Sequence, residues 1–362
     1  MPLFDADELE DFVARVLVSR DLPESDARTA ARVLVSADRR GIVSHGVSRL
    51  HIYVDMLDVG NINPRPNLRV VHETPSTATV DGDGGMGLVV GPWAHGITLE
   101  KAEQVGTGWV AVQGSNHYGI AGWYTLRSVE RDMIGWAMTN TTVLVAPLWG
   151  VERMLGTNPI SVAFPAGEEH PVVVDMATSA VAFGEIEKCM RADEPVPANW
   201  AVGKGGGEPP DAKAIVAGGG ALRPLGGVRA DGGHKGYCLA AFVDLLCGPL
   251  SGAAWGPFTP PATTWLPRPE RIVGSGIGHF FGSMRVDAFR PIEDFKQSVD
   301  DWIRTFRTAV PEDGTGGPLI PGDPERQAEA RAREHGVELS DKIVSTLRQV
   351  SQKTGCALPG MS

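Results

Sequence analysis

The stretch ATVDGDGGMGLVVGPWAHG, Ala78 to Gly96, carries Gly82, Gly84 and Gly87 in the pattern G-x-G-x-x-G, with a β-rich run before it and a helical run after it. A Rossmann fold uses that spacing to bring a backbone turn against a pyrophosphate, and it adds a second requirement: the next strand ends in an acid that holds the ribose hydroxyls. Here the next strand candidate, GWVAVQG, ends in Gln113, and the acid at about the right distance, Glu103, lies inside the helical run ITLEKAEQ. The pattern therefore reads as a glycine-dense packing turn, with no Rossmann βαβ crossover at the site, and any cofactor is expected elsewhere.

Outward from this turn the texture of the chain changes twice. Before about residue 60, DADELEDFVARVLVSRDL and ESDARTAARVLVSADRRG place apolar residues at helical spacing behind acidic first turns. From Arg69 onward short β-rich runs follow, among them RVVHE, TATVDG, MIGWAMTN, PISVAFPAG and PVVVDMAT, separated by glycine and proline. Residues 203–233 are glycine-dense enough to predict a surface excursion, and HKGYCLAAFVDLLCG after them predicts a buried helix stopped by Gly248. Helical patterning returns in IEDFKQSVDDWIRTFRTAV, DPERQAEARAREHG and LSDKIVSTLRQVSQ, with Pro324 in a first turn and Gly336 at a stop. The simplest architecture has both termini meeting in one helical unit around a sheet built from the middle of the chain.

Composition narrows the partners. A chain of 362 residues with a formal charge of −11 argues against nucleic acid and against an anionic membrane surface. The four cysteines, Cys189, Cys238, Cys247 and Cys356, have neither a disulfide framework nor a zinc spacing, and are expected reduced in the cytoplasm. The acidic start MPLFDADELEDF does not resemble a signal peptide, and no apolar run is long enough to cross a bilayer.

Polar chemistry gathers in five places. RRGIVSHGVSRLHIYVDML puts His45, Arg49 and Tyr53 at i, i+4 and i+8, the spacing of one helical face, with Ser44 before them. An imidazole beside a guanidinium suits a small 2-hydroxy or 2-oxo acid: arginine clamps the carboxylate and histidine moves the hydroxyl proton. The alternative is a solvated helix face with Ser44 as its cap. GSNHYGIAGWY sets His117, Tyr118 and Gly119 at a strand end, which is either an ordinary turn or a ligand site. Thr141 and Thr157 lie in two Thr/Asn clusters that either meet a ligand or satisfy turns. Asp175 ends an apolar strand, placed to accept ribose hydroxyls or a carboxamide. Lys235 opens the apolar helix, where a phosphate would offset the unfavourable helix dipole, unless the lysine simply reaches solvent.

With these segments in view, the sequence resembles the malate/L-lactate dehydrogenase family of the second type. SHGVSR, GSNHYGIAGWY, LGTNPISVAFP, VVVDMATSAVAFGEI, GGHKGYCLAAFVDLLCGPLSGAAWG and IPGDPE occur in family order nearly end to end. The resemblance implies a non-Rossmann α+β fold with a mostly antiparallel mixed sheet. Residues 1–70 and 290–362 would form a helical substrate and dimerisation domain, and 71–289 a nicotinamide cofactor domain carrying the 203–233 excursion. It implies an NAD- or NADP-dependent oxidoreductase that interconverts a small 2-hydroxy acid of malate or L-lactate type and its 2-oxo acid by hydride transfer, assembled as a homodimer and requiring no metal. Ser44, His45 and His117 match catalytic positions, which of the two histidines moves the proton staying open. Arg49, Tyr53 and Thr157 match substrate contacts. His117, Tyr118, Gly119, Thr141, Asp175, Met176, Ala177, His234, Lys235, Pro321, Gly322 and Asp323 match cofactor contacts. Glu185 stands where many relatives carry lysine, PGD replaces the commoner PGE, and NTT stands where NS is frequent. These departures bear on cofactor and substrate preference more than on reaction class. The rival readings are an NADPH-dependent reductase of a cyclic imine carboxylate and, from another class, a non-catalytic cofactor sensor.

Overall fold

The computed structural model describes residues 1–207, 209 and 211–360. The chain begins with β1 (Leu3–Phe4), α1 (Ala6–Val18), α2 (Glu24–Arg39), two short 3₁₀ turns (Val43–His45 and Val47–Arg49) and α3 (Leu50–Asp58). Asp5 caps α1 by accepting Asp7 and Glu8 N–H, as the acidic first turn predicts. The middle contributes β2 (Arg69–Glu73), β3 (Thr77–Asp81), α4 (Gly87–Val105), β4 (Thr107–Ser115), α5 (Ala121–Val129), β5 (Met133–Thr139), β6 (Ile160–Phe164) and β7 (Val172–Met176). Then come α6 (Phe183–Ala192), β8 (Ala201–Gly203), α7 (Ala212–Ala214), β9 (Gly220–Leu222), α8 (Gly233–Cys247) and β10 (Ile277–Arg285). The chain closes with α9 (Ile292–Arg307), α10 (Asp323–His335), β11 (Val337–Glu338) and α11 (Asp341–Thr354).

The two termini meet. β1 pairs with β11, and Leu9, Phe12, Leu34 and Leu50 share one core with Val344 and Leu347 of α11. The segment from 290 onward is divided, however. Ile303 of α9 packs with Val172 and Ile320 beside the β7 edge of the sheet, while α11 joins the N-terminal helices.

The central sheet runs β2-β3-β4-β10-β5-β6-β7, and every neighbouring pair is antiparallel except β3 with β4. This is the α+β, mostly antiparallel mixed architecture that the resemblance implies. The parallel pair corrects one expectation: β3, α4 and β4 do form a βαβ unit, and the glycine stretch is its first turn. The turn is nevertheless filled by the chain itself. Gly82 N–H donates to Gln113 O at 2.9 Å, Gly84 N–H to Gly114 O at 2.7 Å, and Asn116 Nδ2 to the carbonyls of Gly84 and Gly85. A Cβ on Gly87 would overlap the carbonyl oxygens of Asn116 and His117. The glycines thus admit the chain beyond β4, where a Rossmann turn would admit a pyrophosphate.

Two further expectations change. The glycine-rich excursion has packed parts: β8 pairs with β9, and Ala212, Ile215 and Leu222 join Val145 and Ala240 in a small core. Low side-chain content did not prevent this, because the few apolar residues present converge; Glu208 and Pro210 lie outside the described residues. Helix α8 is buried on one side only, with Phe242 49% and Leu245 60% exposed and Cys238 open to solvent. Among the described residues no helix is long and apolar enough to cross a membrane, and the four cysteines are free.

Candidate active site

The SHGVSR segment follows α2, which ends at Arg39, with Gly41 at φ +73 turning the chain. His45, Arg49 and Tyr53 do not share one helical face, contrary to their spacing. The helix is interrupted at Gly46 (φ −92, ψ −146), so His45 ends one 3₁₀ turn, Arg49 ends the next, and Tyr53 lies on α3. The residues are nevertheless tied together. Arg49 Nε donates to Ser44 O at 2.8 Å, and Ser44 Oγ lies 2.9 Å from His45 Nδ1.

His117 arrives from the sheet. It follows β4 by two residues, and its ring stacks on that of His45 with centroids 5.5 Å apart. Buried Tyr53 places its hydroxyl 2.7 Å from His117 Nδ1. The backbone N–H of Gly119 also points at Nδ1, at 3.4 Å. A backbone N–H only donates, so Nδ1 is the acceptor for both groups and the neutral ring carries its hydrogen on Nε2. Burial, helped by the Arg49 charge, pushes His45 down to about 3 and His117 well below the usual histidine value. Burial likewise raises the Tyr53 phenol. Both imidazoles are therefore neutral beside a guanidinium.

Tyr118 is buried against His279, with centroids 4.7 Å apart, and Tyr124 Oη donates to its carbonyl at 2.6 Å. This stack anchors the 117–119 turn. Gly119, at φ +83, fits between Leu88 and Val33, so the turn also touches the N-terminal helices.

Other matched residues gather along β7. Asp175 Oδ2 accepts Gly122 N–H of α5 at 2.7 Å, so one oxygen is engaged by a helix N-terminus while the side chain stays exposed. The protein packed around its inner side raises this carboxyl to about 6. Pro321 O accepts Val173 N–H at 2.9 Å, and Gly322, at φ +99, lies flat on Val173. Asp323 is tied to Ile320 N–H, Arg307 and Arg326. A cavity of about 370 Å³ opens between Arg40, Ile42, Asp175, Met176, Pro321 and Glu325. Ile42 immediately precedes the turn that carries Ser44 and His45, while neither histidine is among the residues that line the cavity.

Thr141 and Thr157 meet each other: Thr157 N–H donates to Thr141 Oγ1 at 3.1 Å. Thr178, next to Ala177, binds the carbonyls of Thr157 and Asn158. Asn158 Nδ2 in turn donates to Ala240 O of α8. His234 Nδ1 lies 2.8 Å from Arg229 Nη1, and Lys235 is exposed at the start of α8. No contact joins His234 or Lys235 to the Tyr53–His117–His45 group among the described residues. Because α8 is open on its outer side, solvation of Lys235 costs less than its apolar sequence suggests. Sequence reasoning missed Arg40, Glu325 and Asp38. The first two are legible only once β7 and α10 are adjacent, and the third only once the break at Gly46 is seen.

The chemistry of the cavity suits part of a pyridine nucleotide. Asp175 and Glu325 supply acceptors for ribose hydroxyls, Ile42, Met176 and Pro321 supply apolar surface for a planar ring, and the volume falls in the usual range for ligand pockets.

Known proteins share the sequence and the fold over nearly the whole chain. The chain is 40% identical over 350 residues to a malate dehydrogenase of Pyrococcus abyssi, covering 96% of this chain and 94% of that one. It is 37% identical over 341 residues to an L-sulfolactate dehydrogenase of Methanocaldococcus jannaschii, covering 94% of each. The solved structure of malate dehydrogenase from Pyrococcus horikoshii OT3 superposes with a TM-score of 0.89 at 37% identity, covering 99% of this chain and 97% of that one. The malate/L-lactate dehydrogenase family model matches residues 4–348. With its ordered motifs, its sheet and its paired histidines accounted for together, the chain belongs to the malate/L-lactate dehydrogenase family and is a pyridine-nucleotide-dependent dehydrogenase of 2-hydroxy acids.

Proposed function

We propose that the chain interconverts a small 2-hydroxy acid of malate or L-lactate type and its 2-oxo acid, at the place where the SHGVSR turn meets the end of β4. The observation that carries this reading is the meeting of two neutral imidazoles, from different parts of the chain, beside one guanidinium. Arg49 holds the substrate carboxylate, with Thr157 as a further contact. A bound pyridine nucleotide supplies or accepts the hydride.

The two histidines then divide the work. His117 has Nδ1 engaged by Tyr53 and Gly119, so it presents a fixed Nε2–H donor to the substrate oxygen. His45 pairs with Ser44, whose hydroxyl accepts from a protonated Nδ1 and leaves Nε2 as the base that takes the hydroxyl proton. A carboxylate on Arg49 cancels the positive charge that helps to depress His45, so substrate binding raises the basicity of its own proton acceptor.

Tyr118, Gly119, Thr141, Asp175 to Ala177, His234, Lys235 and Pro321 to Asp323 form the cofactor-binding set in this reading. The carboxylates of Asp175 and Glu325 at the cavity support NAD over NADP, since an added ribose phosphate would face two acids while the one guanidinium of the lining, Arg40, is already paired with Glu329. The division into a terminal helical domain and a central cofactor domain, a cytoplasmic location and a homodimer belong to the same proposal. The exposed Phe242 and Leu245 of α8 and the stacked Trp302 and Phe306 of α9 are apolar surfaces open to such an assembly. Nothing in the site favours the cyclic-imine or sensor readings.

The test is a panel of pyruvate, oxaloacetate and piperideine-2-carboxylate, each with NADH and NADPH, followed by nicotinamide absorbance. Turnover of an oxo acid with NADH ahead of NADPH is expected. Turnover of the imine alone, or cofactor binding with no turnover of any of the three, overturns the reading.

A further inference from the structure

Asp38 is a carboxyl with no evident place in the interior. It sits in the last turn of α2, where the helix dipole disfavours a negative charge, and it is 4% exposed. Its Oδ2 accepts Val47 N–H at 2.7 Å, and its Oδ1 has no partner. A leucine would fill such a position at lower cost. What the carboxyl touches is the interruption between the two 3₁₀ turns: a Cβ built on Gly46 would fall inside the Asp38 side chain. Gly46 therefore has to be glycine because the carboxyl occupies the space, and Val47 N–H, left free by the break, has the carboxyl as its acceptor.

On one side of this break stand Ser44 and His45, on the other Arg49. An uninterrupted helix would direct their side chains by the 3.6-residue period alone. Here the Asp38–Val47 contact is the buried one at the break, and Arg49 Nε and Ser48 Oγ reach back across it to the carbonyls of Ser44 and Val43. We propose that Asp38 is a positioning residue: by holding Val47 N–H and filling the space beside Gly46, it fixes the separation of the carboxylate clamp from the proton-transferring histidine. This rests on the roles proposed above for Arg49 and His45.

The test compares Asp38→Ala, Asp38→Asn, Gly46→Ala and the double variant Asp38→Ala/Gly46→Ala in the full chain. The readouts are KM and kcat for the oxo acid, and the NADH dissociation constant from tryptophan fluorescence. Asp38→Ala is expected to raise KM by about 30-fold, in the range that a small misplacement of binding groups produces, with the NADH constant within about 2-fold of the parent. Asp38→Asn keeps an oxygen acceptor in the same place and is expected to restore KM to within about 3-fold of the parent. Gly46→Ala is expected to raise KM like Asp38→Ala, whereas in the Asp38→Ala background the extra methyl costs under about 3-fold, because the space is then vacant. Parent-like KM in folded Asp38→Ala, no rescue by Asp38→Asn, or additive losses in the double variant overturn the proposal. If Asp38→Ala does not fold, a folded Gly46→Ala protein with parent-like KM overturns it alone. A parent chain that turns over no oxo acid fails the reading of the site instead.

Discussion

The hydroxyl of Tyr53 and Nδ1 of His117, separated by 64 positions in the sequence, lie 2.7 Å apart and join the terminal helical unit to the central sheet. The phenol is buried and its pKa is raised, so it remains protonated and donates. Together with Gly119 N–H, which can only donate, this bond orients the imidazole and leaves its hydrogen on Nε2. Tyr53→Phe keeps the ring packing and removes the donor. The expected result is a fall in kcat of about 10-fold, equivalent to one net hydrogen bond of about 1 kcal/mol or slightly more, with only a small drop in Tm. Unchanged kcat in a folded protein would show that Gly119 N–H alone suffices.

The division of labour between the histidines separates their variants. His45→Gln removes the proposed base, and kcat is expected to fall by about 10²- to 10⁴-fold, the usual range for a lost general acid–base group. His117→Asn keeps a side-chain donor, so the loss is expected to be smaller, about 10-fold. Steady-state kinetics on both variants decides the assignment, and the reverse order would transfer the proton step to His117.

Arg49 acts on substrate and on histidine at once. Arg49→Ala is expected to raise KM for the oxo acid by about 10²-fold or more, as for a lost charge-assisted bidentate contact. Arg49→Gln should also raise the pKa of His45, because the guanidinium charge is the second cause of its depression after burial. Proton NMR titration of the His45 ring in the substrate-free protein tests the sign: a midpoint moving to lower pH contradicts it.

Gly87→Ala tests what the glycine motif is for. The added Cβ overlaps the Asn116 and His117 carbonyls, so accommodating it displaces the turn that carries the His117 imidazole. Such overpacking typically costs about 1–3 kcal/mol. The expected outcome is a lower Tm accompanied by a fall in kcat. An effect confined to the cofactor KM would instead point to a pyrophosphate on the turn.

Asp38 predicts a pH dependence of stability. Burial raises its pKa from an ordinary 3.8 to about 8. The folded state thus holds a proton that the unfolded chain releases, and this group's contribution is full below about pH 4 and is lost as pH rises through about 8. Asp38→Asn has no proton to lose. Its stability relative to the parent is therefore expected to increase from pH 5 to pH 8, measured by urea unfolding at fixed ionic strength. An increase from pH 8 to pH 5 would reverse the sign and remove the premise of a neutral buried carboxyl.

What the sequence determined by itself was the local and the ordered. Periodicity and caps placed the helices of both ends, because amphipathic spacing and first-turn acids act within a few residues. Gln113, standing where a Rossmann strand needs an acid, was enough to set aside the dinucleotide reading of Gly82 to Gly87. The run of motifs from Ser44 to Asp323 identified the family, because six ordered matches carry more information than one spacing.

The tertiary structure alone decided how those parts meet. The parallel register of β3 and β4 depends on backbone hydrogen bonds between strands, which residue types barely encode, and the filling of the glycine turn depends on the Asn116 side-chain amide arriving from beyond β4. The break at Gly46 is invisible in an i, i+4, i+8 spacing, since the carboxyl that fills the space beside it belongs to the preceding helix. The outer face of α8 read as buried because an apolar composition states what a surface prefers and leaves open what covers it. His45 reaches His117 because two cores pack against one another, and that packing is a property of the whole chain, settled only when distant side chains exclude water together.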